Sequence, residues 1–556
     1  MIDEATSIPP GTQLECDLCI IGGGPAGITV AHELRDTRQK IILLESGGTR
    51  ERPEDIDLNK GFAARSQSHE PLEENRRRVF GGATIAWGGR CIPFDEIDFE
   101  KRDWVPHSGW PFPKSELDPF YARALELCEA GRYACRVEEA LPGVPREMIA
   151  GFDSDEVVSN MLERWGPPTD FGKRYGPALR AAENVRVFLH ANCLGLRLDA
   201  TARRIARIDV ASEPGREFSI RPARCVLACG SLENTRLLLA SNEVLREGVG
   251  NQSGAVGRYY MSHLFGAIAF AKLRDIGRGR FFYEFEKDPE GVYCRRRFWI
   301  TPQAQRAHQI MNAVGFFFRP PMGASQHDSG LFSATHLAKF TINAFRRHGF
   351  ARGLAMLREH RSELSRHART VLADAPTLAP EIAAIVRQRF FARRRLPFIL
   401  PPRRTNEFYL FYQTEHAPNA ESRVWLHTER DRFGMPRLEV DVRFTELDKF
   451  TVLESHRLLK NRFDVSGVGE LFYNEANLLA WTEERFRHFN SSAHQLGTTR
   501  MSGDPREGVV DADCRVHEME NLWIAGGSVL PTSGHANPTL TIVALAARLA
   551  KHLRTS

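Results

Sequence analysis

The 556-residue sequence predicts an α/β fold, in which a mainly parallel sheet assembled from both chain ends carries an inserted α+β region built on an antiparallel sheet. Three observations predict it. An apolar run, a glycine turn and a helical pattern follow one another over residues 17–34, and the apolar run at 40–45 completes a βαβ opening. Alternating segments at 293–300, 408–413, 423–427 and 437–443 have the period of antiparallel strands with one covered face. The C-terminal stretch returns to a short strand at 521–525, glycine turns and a helix at 538–553.

The length exceeds one domain of about 100–200 residues, so at least two packed units are expected. With 42% hydrophobic and 26% charged residues the composition is that of a soluble globular chain. Seventy-five basic against seventy acidic residues leave a net charge of +5, too weak over this size for nucleic acid as the principal partner. No window reaches eighteen consecutive apolar residues, so no membrane span is expected. Residues 1–15 lack the basic-then-apolar order of a secretory signal, and the ten cysteines are sparse; a reducing cytoplasm is the expected compartment. Cys16 and Cys19 lie three apart on a strand, where side chains point to opposite faces and cannot share a metal. Cys225 and Cys229 share a face but stand about 13 Å apart, too far for a disulfide. All four read as core or strand cysteines, and no metal site is expected.

In chain order, Gly22-x-Gly24-x-x-Gly27 comes first, between a strand and a helix. That context suits a dinucleotide: the first glycine permits the turn, the second lets backbone approach a pyrophosphate, and the third packs helix on strand. Glu45 closes the next strand eighteen residues past Gly27, where a carboxylate accepts hydrogen bonds from ribose hydroxyls. This motif alone does not separate NAD from FAD. A second glycine cluster, FGGATIAWGGR, spans 80–90; a helical pattern follows at 114–128, then strands at 185–189 and 225–228, the latter running into a helix at 232–240. The stretch 335–405 interrupts the alternating segments with helical pattern and fifteen Lys/Arg against four acids. It reads as a solvated helical face with Arg393, Arg394 and Arg395 at a helix end. A surface for anionic lipid or an anionic substrate, with Phe390, Phe391 and Phe398 as anchors, is not favoured, because Arg346, Arg352, Arg358, Arg361, Arg366 and Arg369 recur at mixed spacings.

Several separated segments resemble the glucose-methanol-choline (GMC) oxidoreductase family. They are 17–45; Gly81-Gly82-Ala83-Thr84 with Trp87-Gly88-Gly89; Val226-Leu227-Ala228-Cys229-Gly230-Ser231; His494-Gln495-Leu496-Gly497-Thr498 with Val509-Val510-Asp511; and Ser533-Gly534-His535-Ala536-Asn537-Pro538-Thr539-Leu540-Thr541. The resemblance implies a discontinuous, Rossmann-like FAD-binding domain at 14–95, 182–263 and 490–556. It leaves 96–181 and 264–489, with the basic insert, as a substrate-binding domain. It assigns cofactor contacts to Gly22, Gly24, Gly27, Glu45, Gly81, Gly82, Thr84, Trp87, Gly88, Cys193, Ala228, Gly527 and Thr539, with Cys193 meeting adenine through backbone. His494 stands at the position of the family's catalytic base, and a neutral imidazole suits that task near pH 7. Asn537 falls where the family orients the substrate oxygen; it also reads as the N-cap of a helix with Pro538 at its first position. The N-terminus of that helix is expected to favour negative charge on the reduced flavin. His535 either lines the substrate pocket or faces away.

Two departures matter. Ala86 stands where some members carry a histidine bonded to flavin, so the FAD is expected to be non-covalent. Ala525-Gly526-Gly527-Ser528 replaces a common Asp, leaving pyrophosphate contact there to backbone or water. The implied function is FAD-dependent oxidation of an alcohol, a sugar, glycoside or polyol hydroxyl being favoured by the 535–541 ending, with oxygen or another electron acceptor undecided. The alternatives are a non-redox lyase of the same fold and an interaction protein that retains FAD.

Overall fold

Leu18, Cys19, Ile20 and Ile21 are all buried, the pattern of a strand inside a parallel sheet covered on both faces. In the computed structural model, which describes every residue except 66–67, 278, 319–328, 393, 401–405, 490–491 and 556, this strand, Gln13–Ile21, sits mid-sheet. It pairs in parallel with Ile41–Leu44 on one side and Arg216–Leu227 on the other. Val185–Leu189 and then Ile2–Glu4 extend the sheet beyond Ile41–Leu44. The long strand Arg216–Leu227 pairs in parallel with Leu522–Ile524 through its last residues and antiparallel with Ile205–Glu213 through its first. Asn192–Leu198 closes that edge. The eight strands thus come from both ends of the chain and from its middle.

A second eight-stranded sheet is antiparallel throughout. Its order is Gly469–Phe472, His263–Leu273, Glu407–Glu415, Ala313–Phe318, Tyr293–Ile300, Val157–Trp165 and Arg90–Cys91, with Glu286–Lys287 beside Tyr293–Ile300. Arg423–Arg430 and Pro436–Asp441, expected in the antiparallel sheet, instead pair with each other and with Gly61–Ala63 in a small three-stranded sheet. Alternation marks a half-covered strand but not the sheet that covers it. Lys114–Leu127 packs on the C-terminal helix Thr539–Thr555, which also lies along Pro25–Glu33; Phe171–Ala181 packs on Pro25–Glu33 and Val185–Leu189. Since Val157–Trp165 belongs to the second sheet, the stretch 96–181 contributes to both layers.

The opposite-face reading of Cys16 and Cys19 is corrected. The N–H groups of Asp17 and Leu18 both donate to the Lys40 carbonyl, at 2.9 and 3.2 Å, which breaks the two-residue alternation between the cysteines. Cys19 is consequently pushed up in pKa by burial and then by the Cys16 thiol beside it. All ten cysteines are free.

The insert forms two helical stretches. Gly330–Glu359 is broken at Gly349, whose φ is 73°, and Arg361–Val386 packs back along it. Phe391 is exposed, but Phe398 packs among Trp165, Phe285 and Phe318 and is not a surface anchor. Arg393 and the side chain of Phe390 lie outside the described residues. No described helix is long and apolar enough to cross a membrane.

Candidate active site

The glycine turn is built by steric exclusion. A Cβ on Gly22 would stand 2.4 Å from the Ala228 carbonyl oxygen, and one on Gly27 only 1.9 Å from that of Gly22. Gly24 is different: its Cβ position meets nothing nearer than 3.9 Å, because that side borders a cleft. A second glycine loop approaches from Gly82, where a Cβ would come within 2.8 Å of the Gly24 Cα. Backbone therefore forms this wall, as a phosphate-bearing ligand requires.

Glu45 is buried and clamps the turn: Oε2 accepts from the Gly23 N–H at 2.8 Å and Oε1 from the Gly47 N–H at 2.7 Å. Burial pushes its carboxyl pKa up, against the pull of those N–H groups and of Arg78. Oε1 also accepts from the Ser46 hydroxyl at 3.4 Å, and Oε2 keeps a second lone pair suited to a ribose hydroxyl. Beside it, Glu233 pairs with Arg76 at 2.6 Å and with Arg78 at 2.8 Å. Burial alone would raise the Glu233 pKa, yet Arg78, Arg236 and Arg76 together hold it well below the carboxylate range. Arg76, Arg77, Arg78 and Glu233 all border the cleft. Sequence reasoning missed them, although three consecutive arginines just before the glycine loop were the available signal.

Gly22, Gly24, Glu45, Gly82, Thr84, Trp87, Cys193, Ala228, Gly527, Thr539 and His494 line this one open cleft, whose space, counted with the solvent at its mouth, is about 1400 Å³. Gly27, Gly81 and Gly88 do not line it. Gly27 packs against the turn, and Gly81, at φ 111°, opens the short helical turn Gly82–Ile85. The Thr84 hydroxyl donates to the Gly81 carbonyl at 2.5 Å and accepts from the Phe171 N–H at 3.1 Å, so it braces the loop. The Trp87 indole donates to the Thr169 carbonyl at 3.0 Å.

His494 is fixed by a two-way bridge between Leu496 and Met261, each N–H donating to the other's carbonyl at 3.0 Å. This brings His494 Nδ1 within 2.8 Å of Nδ1 of the buried His263. His263 Nε2 lies 3.3 Å from the Ser533 carbonyl, which can only accept. His263 therefore donates from Nε2 and accepts at Nδ1, and His494 donates from Nδ1. The lone pair of His494 is left on Nε2. Burial and then the charge of Arg90 lower the His494 pKa to about 4. No sequence pattern pointed to His263.

The helix expected to start at Pro538 starts at Thr539, and the Ile542 N–H donates to the Pro538 carbonyl. Asn537 is therefore outside the cap, and the N-cap reading falls. Its Oδ1 accepts from Arg90 Nη1 at 3.3 Å and Gln413 Nε2 at 3.2 Å. Gln413 also accepts from Arg90 at 2.9 Å, and Glu163 pairs with both Arg90 and Arg295. His535 is wholly buried, with Nε2 2.9 Å from Asp95 Oδ2 and the ring against Arg297. Burial opposes ionisation of Asp95, but His535 and Arg297 hold its pKa down to about 2. Neither Asn537 nor His535 borders the glycine-lined cleft.

A dinucleotide fits these residues: a backbone wall, a carboxylate at the second strand, arginines beside it and an imidazole on the same cleft. Residues 418–546 match the family profile described as GMC oxidoreductase. The chain is 24% identical to 6'''-hydroxyparomomycin C oxidase of Streptomyces lividus, over 98% of this chain and 93% of the relative. It is 21% identical to the fructose dehydrogenase large subunit of Gluconobacter japonicus, over 97% of each chain. Its fold is similar to that of pyridoxine 4-oxidase from Mesorbium loti, with a TM-score of 0.52 and 17% identity over 97% of this chain and 99% of that one. The match to the GMC oxidoreductase profile thus covers residues 418–546, and the similarity to these relatives and to this fold runs over nearly the whole chain.

Proposed function

We propose that the protein oxidises a hydroxyl of a sugar or glycoside to the carbonyl, using non-covalent FAD held in the glycine-lined cleft. The observation that carries this reading is the hydrogen-bond chain from the Ser533 carbonyl through His263 to His494, which leaves a lone pair on His494 Nε2 beside the cleft. Bound FAD supplies the acceptor for the hydride of the carbinol carbon. His494 Nε2 takes the hydroxyl proton. Asn537, whose Oδ1 is engaged by Arg90 and Gln413, keeps its amide N–H groups for the substrate oxygen in this reading, from a position outside the lining of the glycine-rich cleft. Arg76, Arg77 and Arg78 balance the pyrophosphate charge, and Glu45 accepts from the ribose. Ala86 offers no atom for a flavin bond. His535 acts in this reading as a support for Asp95 rather than as a substrate contact.

The sugar class follows the aminoglycoside oxidase and fructose dehydrogenase among the relatives, and their names divide between oxidase and dehydrogenase. In this reading the cofactor domain is 14–95, 182–263 and 490–556, extended by the strand Ile2–Glu4 on its sheet, and 264–489 with the part of 96–181 that joins the second sheet forms the substrate domain. The test is anaerobic mixing of the purified yellow protein with a panel of sugars, glycosides and polyols, watching flavin absorbance near about 450 nm. Bleaching by at least one of them is expected, and acid denaturation is expected to release intact FAD. A flavoprotein that no member of the panel bleaches would overturn the substrate class, and flavin retained on the precipitated chain would overturn non-covalent binding.

A further inference from the structure

The two helical stretches of the insert meet at a polar cluster that is separate from the cleft. His336 stands on Gly330–Glu359; Glu363 and His367, one turn apart on Arg361–Val386, share a face. One ligand atom from each of the three lies within 4.8 Å of the others. The structure assigns to His336, Glu363 and His367 a site for a zinc-like divalent cation that ties the two helical stretches together.

The donor set selects the ion. Two imidazoles and one carboxylate suit zinc, cobalt or nickel, whereas calcium and magnesium demand oxygen donors. Three protein ligands leave a fourth tetrahedral position for water. His336 Nε2 is buried and faces Glu363 Oε1 at 3.3 Å in poor alignment for a hydrogen bond, a spacing natural for two ligands of one ion. The imidazoles of His336 and His367 lie 4.6 Å apart between ring centres. Two of the three residues carry an outer partner of the kind that fixes ligand orientation in metal sites: Ser333 Oγ lies 3.0 Å from His367 Nδ1, and His360 Nδ1 lies 3.3 Å from the second Glu363 oxygen. Burial and then the neighbouring His367 lower the pKa of His336, which keeps it a neutral ligand at pH 7. The ion would bind ahead of the break at Gly349 on one stretch and near the start of the other.

The test uses untagged full-length protein stripped with chelator and titrated with zinc by calorimetry and with cobalt by visible absorbance. One equivalent is expected, with the intense visible bands of four-coordinate cobalt and slower proteolysis between residues 330 and 386. His336→Ala and Glu363→Gln, both at partly exposed positions, are expected to weaken binding at least about tenfold while circular dichroism stays unchanged, and Ser333→Ala by about 10–100-fold. Absence of binding to the stripped wild type, or equal binding by the double variant His336→Ala/Glu363→Gln, would overturn the assignment. Because the readout is metal and not turnover, failure here is distinguishable from failure of the proposed oxidation.

Discussion

His494 illustrates how one side chain's chemistry is set by what it touches. Its pKa is lowered to about 4 by burial and Arg90, so the ring is neutral from alkaline pH down to about that value. A base must be unprotonated to act, so flavin reduction is expected to hold level from pH 8 to about 5 and to fall as pH drops through 4. A stopped-flow pH profile checks this, and an acid limb centred near the ordinary histidine value of about 6.5 would contradict it. In the proposed reaction His263 is a positioning residue, since it holds His494 Nδ1 at 2.8 Å. His263→Ala removes the acceptor for the His494 Nδ1 proton and is expected to slow reduction about 10–100-fold at unchanged FAD content, while His263→Asn, which restores an acceptor, recovers part of the rate. His494 was legible because a local motif surrounds it. His263, Gln413 and Glu163 were not, because each reaches the site from a strand distant in sequence and none carries a local signature.

At the scale of elements, the glycine turns are where sequence and geometry agree most closely. Gly22 and Gly27 occupy positions where backbone oxygens exclude any Cβ, so spacing alone announced them. Glu45→Ala removes the acceptor of two turn N–H groups and is expected to weaken FAD binding by roughly 1–3 kcal/mol, read by flavin fluorescence on dilution. The strands Val185–Leu189 and Tyr293–Ile300 match their expected bounds because strong apolar patterning ends there. Pairing was less legible. Arg423–Arg430 and Pro436–Asp441 were recognisable as strands but not as partners of Gly61–Ala63, since side-chain period carries no partner information. The irregularity at Asp17 and Leu18, which brings Cys16 to Cys19, depends on a carbonyl from another strand and leaves no trace in local sequence. The displaced start of Thr539–Thr555 is similar: Asn before Pro suggested a cap, but Arg90 and Gln413 claim the Asn537 side chain instead.

Across the whole molecule, the interior stores histidines in their neutral form. His32, His456 and His494 are each lowered to about 4 by burial. The unfolded chain binds protons at these residues below about 6.5 while the fold refuses them, so stability present above that pH is lost as pH falls toward 4. The thermal midpoint is expected to drop steadily over that window, and a midpoint unchanged between pH 6.5 and 4.5 would contradict it. The general architecture was readable because cofactor-type motifs lie at both ends of the chain; the arrangement of the 96–181 stretch over both layers was not, since its helices announce an apolar face but not the sheet that covers it. In the proposed reaction His494 is the proton acceptor as an alcohol is oxidised beside FAD. The most direct test of this role is anaerobic single-turnover reduction of the wild type and of His494→Ala with the best substrate, each shown by absorbance to hold the same flavin. A rate lowered by about 10²–10⁴ in the variant is predicted; reduction at the wild-type rate would contradict the account.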